Sequence, residues 1–265
     1  LFKKDRKAYE EKWDDIGIFV KYGMLSEEKF YEKAKDFGLL KNTEGKFFTL
    51  TEYKEKVEGN QTDKDKQINF LYTTDEGKQH TYIEAAKNKG YDVLLLDGVI
   101  DPHFINHMEQ KLEKTSLKRV DAETADKLIS KDETIPSVLS EEEEGKVKEA
   151  FEAAINNKSF TVAVESQSPD DMPVVITMSE FMRRMKDMAK TGGGQFAMMG
   201  GMPDQYSVSI NGNHALISKL LKTKSKEKKA QLAKQAYDLA MLSQNLLSGK
   251  DLTDFIKRSV ALAAE

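Results

Sequence analysis

His103 and His107 stand four residues apart, with Asp97 and Asp101 just upstream. On a helix that spacing turns both imidazoles to one side, as a shared divalent metal would need. A zinc-protease motif has Glu directly after its first His, and here position 104 is Phe. Two ordinary histidines on a helix explain the pair better. Asp97-Gly98 follows an apolar strand, as in nucleotide folds, but no glycine fingerprint accompanies it. A metal or nucleotide enzyme centred on Asp97, His103 and His107 is therefore the minor alternative. Gly192-Gly193-Gly194 has the glycines of a phosphate loop without a following Lys-Ser/Thr pair, and it follows a helical pattern rather than a strand. With zero Cys and no G-x-S-x-G, no nucleophile is set up either. The expectation is a chain without catalytic residues, metal or cofactor.

The most unusual pattern is apolar. Eight of the 11 methionines (Met172, Met178, Met182, Met185, Met188, Met198, Met199 and Met202) fall in one stretch. At about 100° per residue, Met178, Phe181, Met182, Met185, Met188 and Ala189 share an arc of about 120° on a helical wheel. Glu180, Arg183, Arg184, Lys186, Asp187 and Lys190 fill the other side. Thr177 and Glu180 have capping-box spacing, and Ile176 and Phe181 sit as a hydrophobic staple. Such a helix ordinarily packs its apolar face on its own sheet. Methionine, however, is flexible and polarizable and is over-used on surfaces that meet partners of many shapes. The glycine-flanked Met198 and Met199 belong to no obvious core. The pattern predicts a surface that grips apolar partners.

The remaining charge runs have simpler explanations. Glu141 to Glu144 follow Ser140, which forms a capping box with Glu143, and carboxylates favour the positive end of a helix. Lys222 to Lys229 read as a solvated helix entry.

These features need a scaffold, and the spacing predicts an α/β (α+β) one. Residues 1–58 read as a helical segment. Tyr9, Trp13, Ile16 and Val20 recur at helical spacing up to Gly23; Ser26 then opens a helix through Phe30, Ala34 and Phe37, and Thr49 with Glu52 caps a third. Residues 59–120 read as a small αβα unit. Ile68 to Thr73 is a strand, a helix ends at Gly90, and Val93 to Leu96 is a doubly buried strand in a parallel pair. Asp101 caps a helix with Pro102 at its first position. Residues 121–139 read as a polar linker.

Residues 140–265 form a mixed domain. Its strands centre on Phe160/Val162/Val164, Val174 to Ile176, and Tyr206/Val208/Ile210. Two closing helices carry Leu232, Leu239 and Leu246 at heptad spacing, then Leu252, Phe255, Ile256 and Val260. Ala233, Ala236 and Ala240 would allow close approach, so a two-fold axis pairing two such hairpins predicts a homodimer.

The totals narrow the partners. A net charge of −4 on 265 residues, with 41 basic and 45 acidic side chains, lacks the basic field that nucleic acid needs. No stretch approaches the roughly 20 apolar residues of a membrane span, and no signal peptide stands out. Absence of Cys fits a reducing cytoplasm. The helical pattern already running at Leu1 suggests an excised fragment.

Three stretches resemble the 90-kDa heat-shock chaperone family: Ile18-Phe19-Val20-Lys21-Tyr22-Gly23 with Ser26-Glu27-Glu28; Gly90 to Leu96 with Ile100-Asp101; and Asn211-Gly212-Asn213-His214. The order of elements agrees along nearly the whole chain. The resemblance implies the later middle domain and the C-terminal dimerisation domain of a bacterial-type member, since no Met-Glu-Glu-Val-Asp tail is present. It implies an ATP-dependent parent whose ATP- and Mg-binding domain is not in this span. It also implies contacts to unfolded or partly folded clients through Met178, Phe181, Met182, Met185 and Met188, joined by Met198 and Met199, with His103 and Phe104 in a second region. The homodimer would use Leu232, Ala236, Leu239, Leu246, Phe255 and Ile256. One rival is a methionine-rich signal-sequence or adaptor-binding module. That class is helical and basic to hold RNA, which strands around the Met helix and a net charge of −4 oppose. The other is a membrane-surface helix using Arg183, Arg184, Lys186 and Lys190.

Overall fold

The computed structural model describes residues 2–132, 135–157, 159–191 and 205–264. The architecture is α/β, and the chain divides into two compact units. The first holds residues 2–131 together with the helical residues from Arg183 onward. The second holds the described residues from 132 to Met182 and those after 204.

The first unit opens with α1 (Arg6–Glu10), α2 (Trp13–Ser26) and α3 (Glu28–Ala34). Gly23 was expected to stop a helix, yet α2 runs past it to Ser26, and the Ser26 hydroxyl donates back to the Tyr22 carbonyl. Gly23 serves packing instead, since a Cβ there would meet the Phe30 ring at 2.7 Å. An antiparallel hairpin, β1 (Leu39–Lys41) and β2 (Phe47–Thr49), follows where the helical reading saw none. Its strands are three residues each, too short for a period to register. The Thr49/Glu52 capping box then starts α4 (Leu50–Gln61).

The three-stranded sheet of this unit is wholly parallel, in the order β4 (Val93–Leu95), β3 (Ile68–Thr73), β5 (Thr115–Arg119). The central strand β3 is buried along its whole length, as helices on both faces require. Between the strands lie α5 (His80–Asn88) and α6 (Asp101–Lys111). Gly90 follows α5 at φ +76, and Tyr91 N–H closes the turn onto the Ala86 carbonyl, a conformation that favours glycine. Asp101 does not cap α6. Its buried carboxylate accepts from the Gly98 N–H at 2.9 Å and from Lys21 at 2.5 Å, holding the strand-to-helix loop to α2. The segment expected as a linker starts as folded structure: Asp121, Ala122, Thr124, Leu128 and Ile129 are buried, around α7 (Ala125–Leu128). Tyr53 packs edge-on to Phe70 at 4.8 Å in a core shared with Tyr72, Leu94, Met108 and Leu117.

In the second unit α8 (Glu141–Ile155) begins with the Ser140/Glu143 capping box and buries Val147 and Phe151. Its sheet order is β6 (Phe160–Glu165), β8 (Tyr206–Asn211), β7 (Val174–Thr177), parallel on one side of β8 and antiparallel on the other. After β8 the Asn211–His214 turn is fully bonded. Asn211 donates to the Ser168 carbonyl, Asn213 donates to those of Pro136 and Gln167, and His214 Nδ1 accepts from Leu216 N–H. The chain closes with α10 (Ala215–Lys222), α11 (Lys226–Ser243) and α12 (Gly249–Ala263). Asp238 on α11, 1% exposed, pairs with Lys234 at 2.6 Å and with Arg258 of α12, and Gln235 bonds Arg258 and Ser259. These bonds hold the hairpin together from inside.

Candidate functional site

The methionine stretch forms α9 (Glu180–Thr191) as expected, but its start and its docked side differ from the sequence reading. The Thr177/Ile176 start is not used. Ser179 Oγ accepts from Met182 N–H, Ile176 is fully buried, and Phe181 is 68% exposed, so no staple forms. The polar face does the anchoring. Arg183 is only 7% exposed; its guanidinium meets the Asp121 carboxylate at 2.9 Å and donates to the Asp121 carbonyl at 3.0 Å. Asp121 is shared with Arg119 at 2.8 Å and with the Gln79 amide at 3.1 Å. Arg184 pairs with Glu109 at 2.5 Å and donates to the Leu117 carbonyl at 2.6 Å. A planar guanidinium can be buried this way because its donors match a carboxylate and a carbonyl together.

With Arg183 turned inward, Phe181 is left outward. Phe181 stands largely in solvent, and Met182, Met185 and Ala189 are half-buried. Met178, just beyond β7, is 3% exposed and has almost no surface to give, which corrects its place among accessible contacts. Met198, Met199 and the side chain of Met188 lie outside the described residues.

The histidine constellation is not assembled. His103 is exposed at the start of α6, whereas His107 turns inward against Tyr31, its ring edge-on at 5.2 Å. Burial and the nearby Lys111 ammonium hold His107 below the usual histidine pKa, and its Nε2 is buried without a hydrogen-bond partner. Asp97 is exposed and Asp101 is taken up by Lys21. Among the described residues no three His, Asp or Glu side chains stand where they could hold one metal ion. Phe104, expected at an accessible site, is 3% exposed within the first core; the helical face it occupies carries the core residues Ile105 and Met108 as neighbours.

The closing hairpin splits the expected interface residues. Ala236 (2% exposed) and Phe255 (7%) are buried within their own unit, so they are corrected from contact residues to core residues. Ala233, Ala236 and Ala240 let α11 sit close to α8 and β7 within one subunit. Leu246 falls beyond the end of α11, which breaks the expected heptad, and Leu232 is half-buried. Leu239 and Ile256 are exposed, as is Val260 of the last helix, and the structure adds Leu242 and Leu262, which spacing alone did not single out. The signal for Leu242 was available: it stands three residues after Leu239 on α11.

Comparison with known proteins fits this architecture to a family. The family model described as Hsp90 protein matches residues 1–262. The chain is 46% identical, over 83% of its length, to the chaperone protein HtpG of Porphyromonas gingivalis, covering 33% of that protein. It is 42% identical over 88% of its length to the HtpG chaperone of Bacteroides fragilis, and 34% identical over 99% to that of Bacteroides thetaiotaomicron. It spans about a third to a half of the length of these relatives, 33%, 34% and 48% respectively.

Proposed function

This chain belongs to the Hsp90 protein family, and from that premise we propose that it is the client-gripping and dimerising part of a bacterial-type molecular chaperone. Residues 1–131 correspond in this reading to the later middle domain, and residues from 140 onward to the C-terminal dimerisation domain. The observation that carries the proposal is α9. It is fixed through Arg183 and Arg184 while Phe181 stays 68% exposed and Met182 and Met185 keep part of their surface. An apolar face left open on a helix that is otherwise tied down is what a binder of unfolded or partly folded chains requires. Full cover of one such side chain stabilises a complex by at most about 1.5–3 kcal/mol. Several partial contacts then give weak, broad affinity.

ATP and Mg belong, in this reading, to the whole chaperone. This span neither binds nor hydrolyses nucleotide, and it works in the cytoplasm without nucleic acid or membrane as partner. Among the described residues no helix is long and apolar enough to cross a membrane. The homodimer forms through the exposed Leu239, Leu242, Ile256 and Val260 of α11 and α12.

The test is suppression of aggregation of a heat-denatured enzyme. A chain with Phe181→Ser, Met182→Ser and Met185→Ser should need about tenfold more protein for equal suppression, a loss of about 1.4 kcal/mol, while its mass by light scattering stays unchanged. Equal suppression by the variant would remove α9 from the site. Separately, Leu239→Glu with Ile256→Glu should give monomers, and an intact dimer would point to a different interface.

A further inference from the structure

Within the first unit a cleft of about 390 Å³ lies between α2 and the loop after β4, lined by Trp13, Gly17, Ile18, Lys21, Asp97 and Asp101 among others. Its floor is the Trp13 indole. Gly17, one turn on in the same helix, leaves room for that ring to lie against α2, since a Cβ there would meet it at 2.9 Å. The wall formed by α2 does not end at the cleft. At about 100° per residue, Ile18, Tyr22, Asp15 and Phe19 succeed one another around the helix within about 100° of arc. Ile18 is 47%, Tyr22 63% and Phe19 73% exposed, so the cleft opens onto an aromatic stripe in solvent.

The charges along it are not balanced. The two cations lining the cleft are already used: Lys21 pairs with Asp101 at 2.5 Å and Lys41 with Asp14 at 2.7 Å. Asp15, within the stripe, and Asp97, across the cleft, are exposed, and among the described residues neither meets an ion-pair or side-chain hydrogen-bond partner. A cleft that opens onto an exposed aromatic stripe and carries two exposed carboxylates at its edge is complementary to an amphipathic segment with basic side chains.

We propose that this groove, Trp13–Ile18–Tyr22–Phe19 with Asp15 and Asp97, docks a basic amphipathic segment of a partner protein. Its apolar side chains would cover Phe19 and Tyr22 and enter over Trp13, and its Lys or Arg would meet Asp15 and Asp97. Paired aromatic anchors of this kind carry most of the binding energy of small interfaces. The site is separate from α9 and does not depend on the reading of the methionine face.

The experiment titrates a short fluorescein-labelled amphipathic peptide of Leu, Ala, Lys and Arg against the whole chain, beside a control in which every Lys and Arg is Glu. The basic peptide should bind, more tightly at low salt, and the acidic one should not. Phe19→Ser with Tyr22→Ser should weaken binding about tenfold. Asp15→Asn with Asp97→Asn should weaken it about threefold and flatten the salt dependence. These side chains are exposed, so the melting temperature should hold. Met182→Ser with Met185→Ser should leave affinity within about twofold. Absence of binding, equal binding of the acidic peptide, or loss only in the methionine variant would overturn the proposal. So would a change of oligomeric mass in the Phe19/Tyr22 variant, which would make the stripe an interface between copies of this chain.

Discussion

Helices α8 and α9 are both amphipathic, and they dock by opposite faces. On α8 the apolar stripe goes inward, with Val147 and Phe151 fully buried, and the acidic first turn stays in water. On α9 the inward residues are Arg183 and Arg184, and the outward ones include Phe181. The difference lies in what each helix meets. Beside α8 there is an apolar core of Val162, Val208 and Ile210. Beside the arginines of α9 there are the buried Asp121 carboxylate, the part-exposed Glu109 carboxylate and the carbonyl of Leu117. Periodicity marks two faces on a helix, but the surface it meets chooses between them.

The contrast can be broken most strongly at the aromatic residues. Phe151→Ala on α8 should destabilise the second unit by about 3–5 kcal/mol in urea unfolding, through lost transfer energy and the cavity left behind. Phe181→Ala on α9 should change stability by less than about 0.5 kcal/mol, as for an exposed side chain. A large loss at Phe181 would mean that α9 packs by its apolar face after all.

Next in size is the anchor. Asp121→Ala removes the carboxylate that Arg183 and Arg119 share and should cost about 3 kcal/mol, toward the lower end for a broken buried pair, because the Asp121 carbonyl still accepts from Arg183. Hydrogen exchange of α9 should rise more than that of α8. Uniform protection in both helices would deny that the arginines fix α9.

Smaller effects are expected at the caps. Ser140→Ala removes half of a capping box and should cost α8 about 1 kcal/mol. Ser179→Ala removes only the single long bond to Met182 N–H, at 3.4 Å, and should cost less. Thermal melts of the two variants would rank them.

The smallest effect is on pH. Hydrogen bonds from Ser140 hold the Glu143 carboxyl below the usual 4.5. A carboxyl depressed in the folded state adds stability above its unfolded pKa, and that stability is lost as pH falls through the folded value. The first turn of α8 should therefore fray as pH falls from about 4.5. Exchange of the Glu143 amide at pH 5 and pH 3 checks this.

Much of the scaffold was legible because it rests on local chemistry. The capping boxes at Thr49/Glu52 and Ser140/Glu143, the glycine after α5 at Gly90, and the strands β3, β4, β6, β7 and β8 follow from residue types at fixed spacing. The hairpin β1–β2 and the strand β5 were not legible. In β5 the alternation of buried Thr115, Leu117 and Arg119 includes two polar side chains, whose burial rests on bonds to the Glu113 carbonyl and to Asp121. The small residues of α11 were read correctly as a close-packing face, but the neighbour was α8 and not a second subunit.

The sequence by itself determined that α9 is a helix with a methionine side and a charged side, because side-chain order around a helix is fixed by its turn. Only the tertiary structure decided that the charged side is the docked one. That choice depends on Asp121 and Glu109, which lie 62 and 75 residues away along the chain from Arg183 and Arg184, respectively. No local rule connects groups so far apart. They meet because the parallel sheet carries Asp121 just beyond the end of β5, with Glu109 on the helix before it, and there Arg183 joins Arg119 on the buried Asp121 carboxylate while Arg184 reaches Glu109.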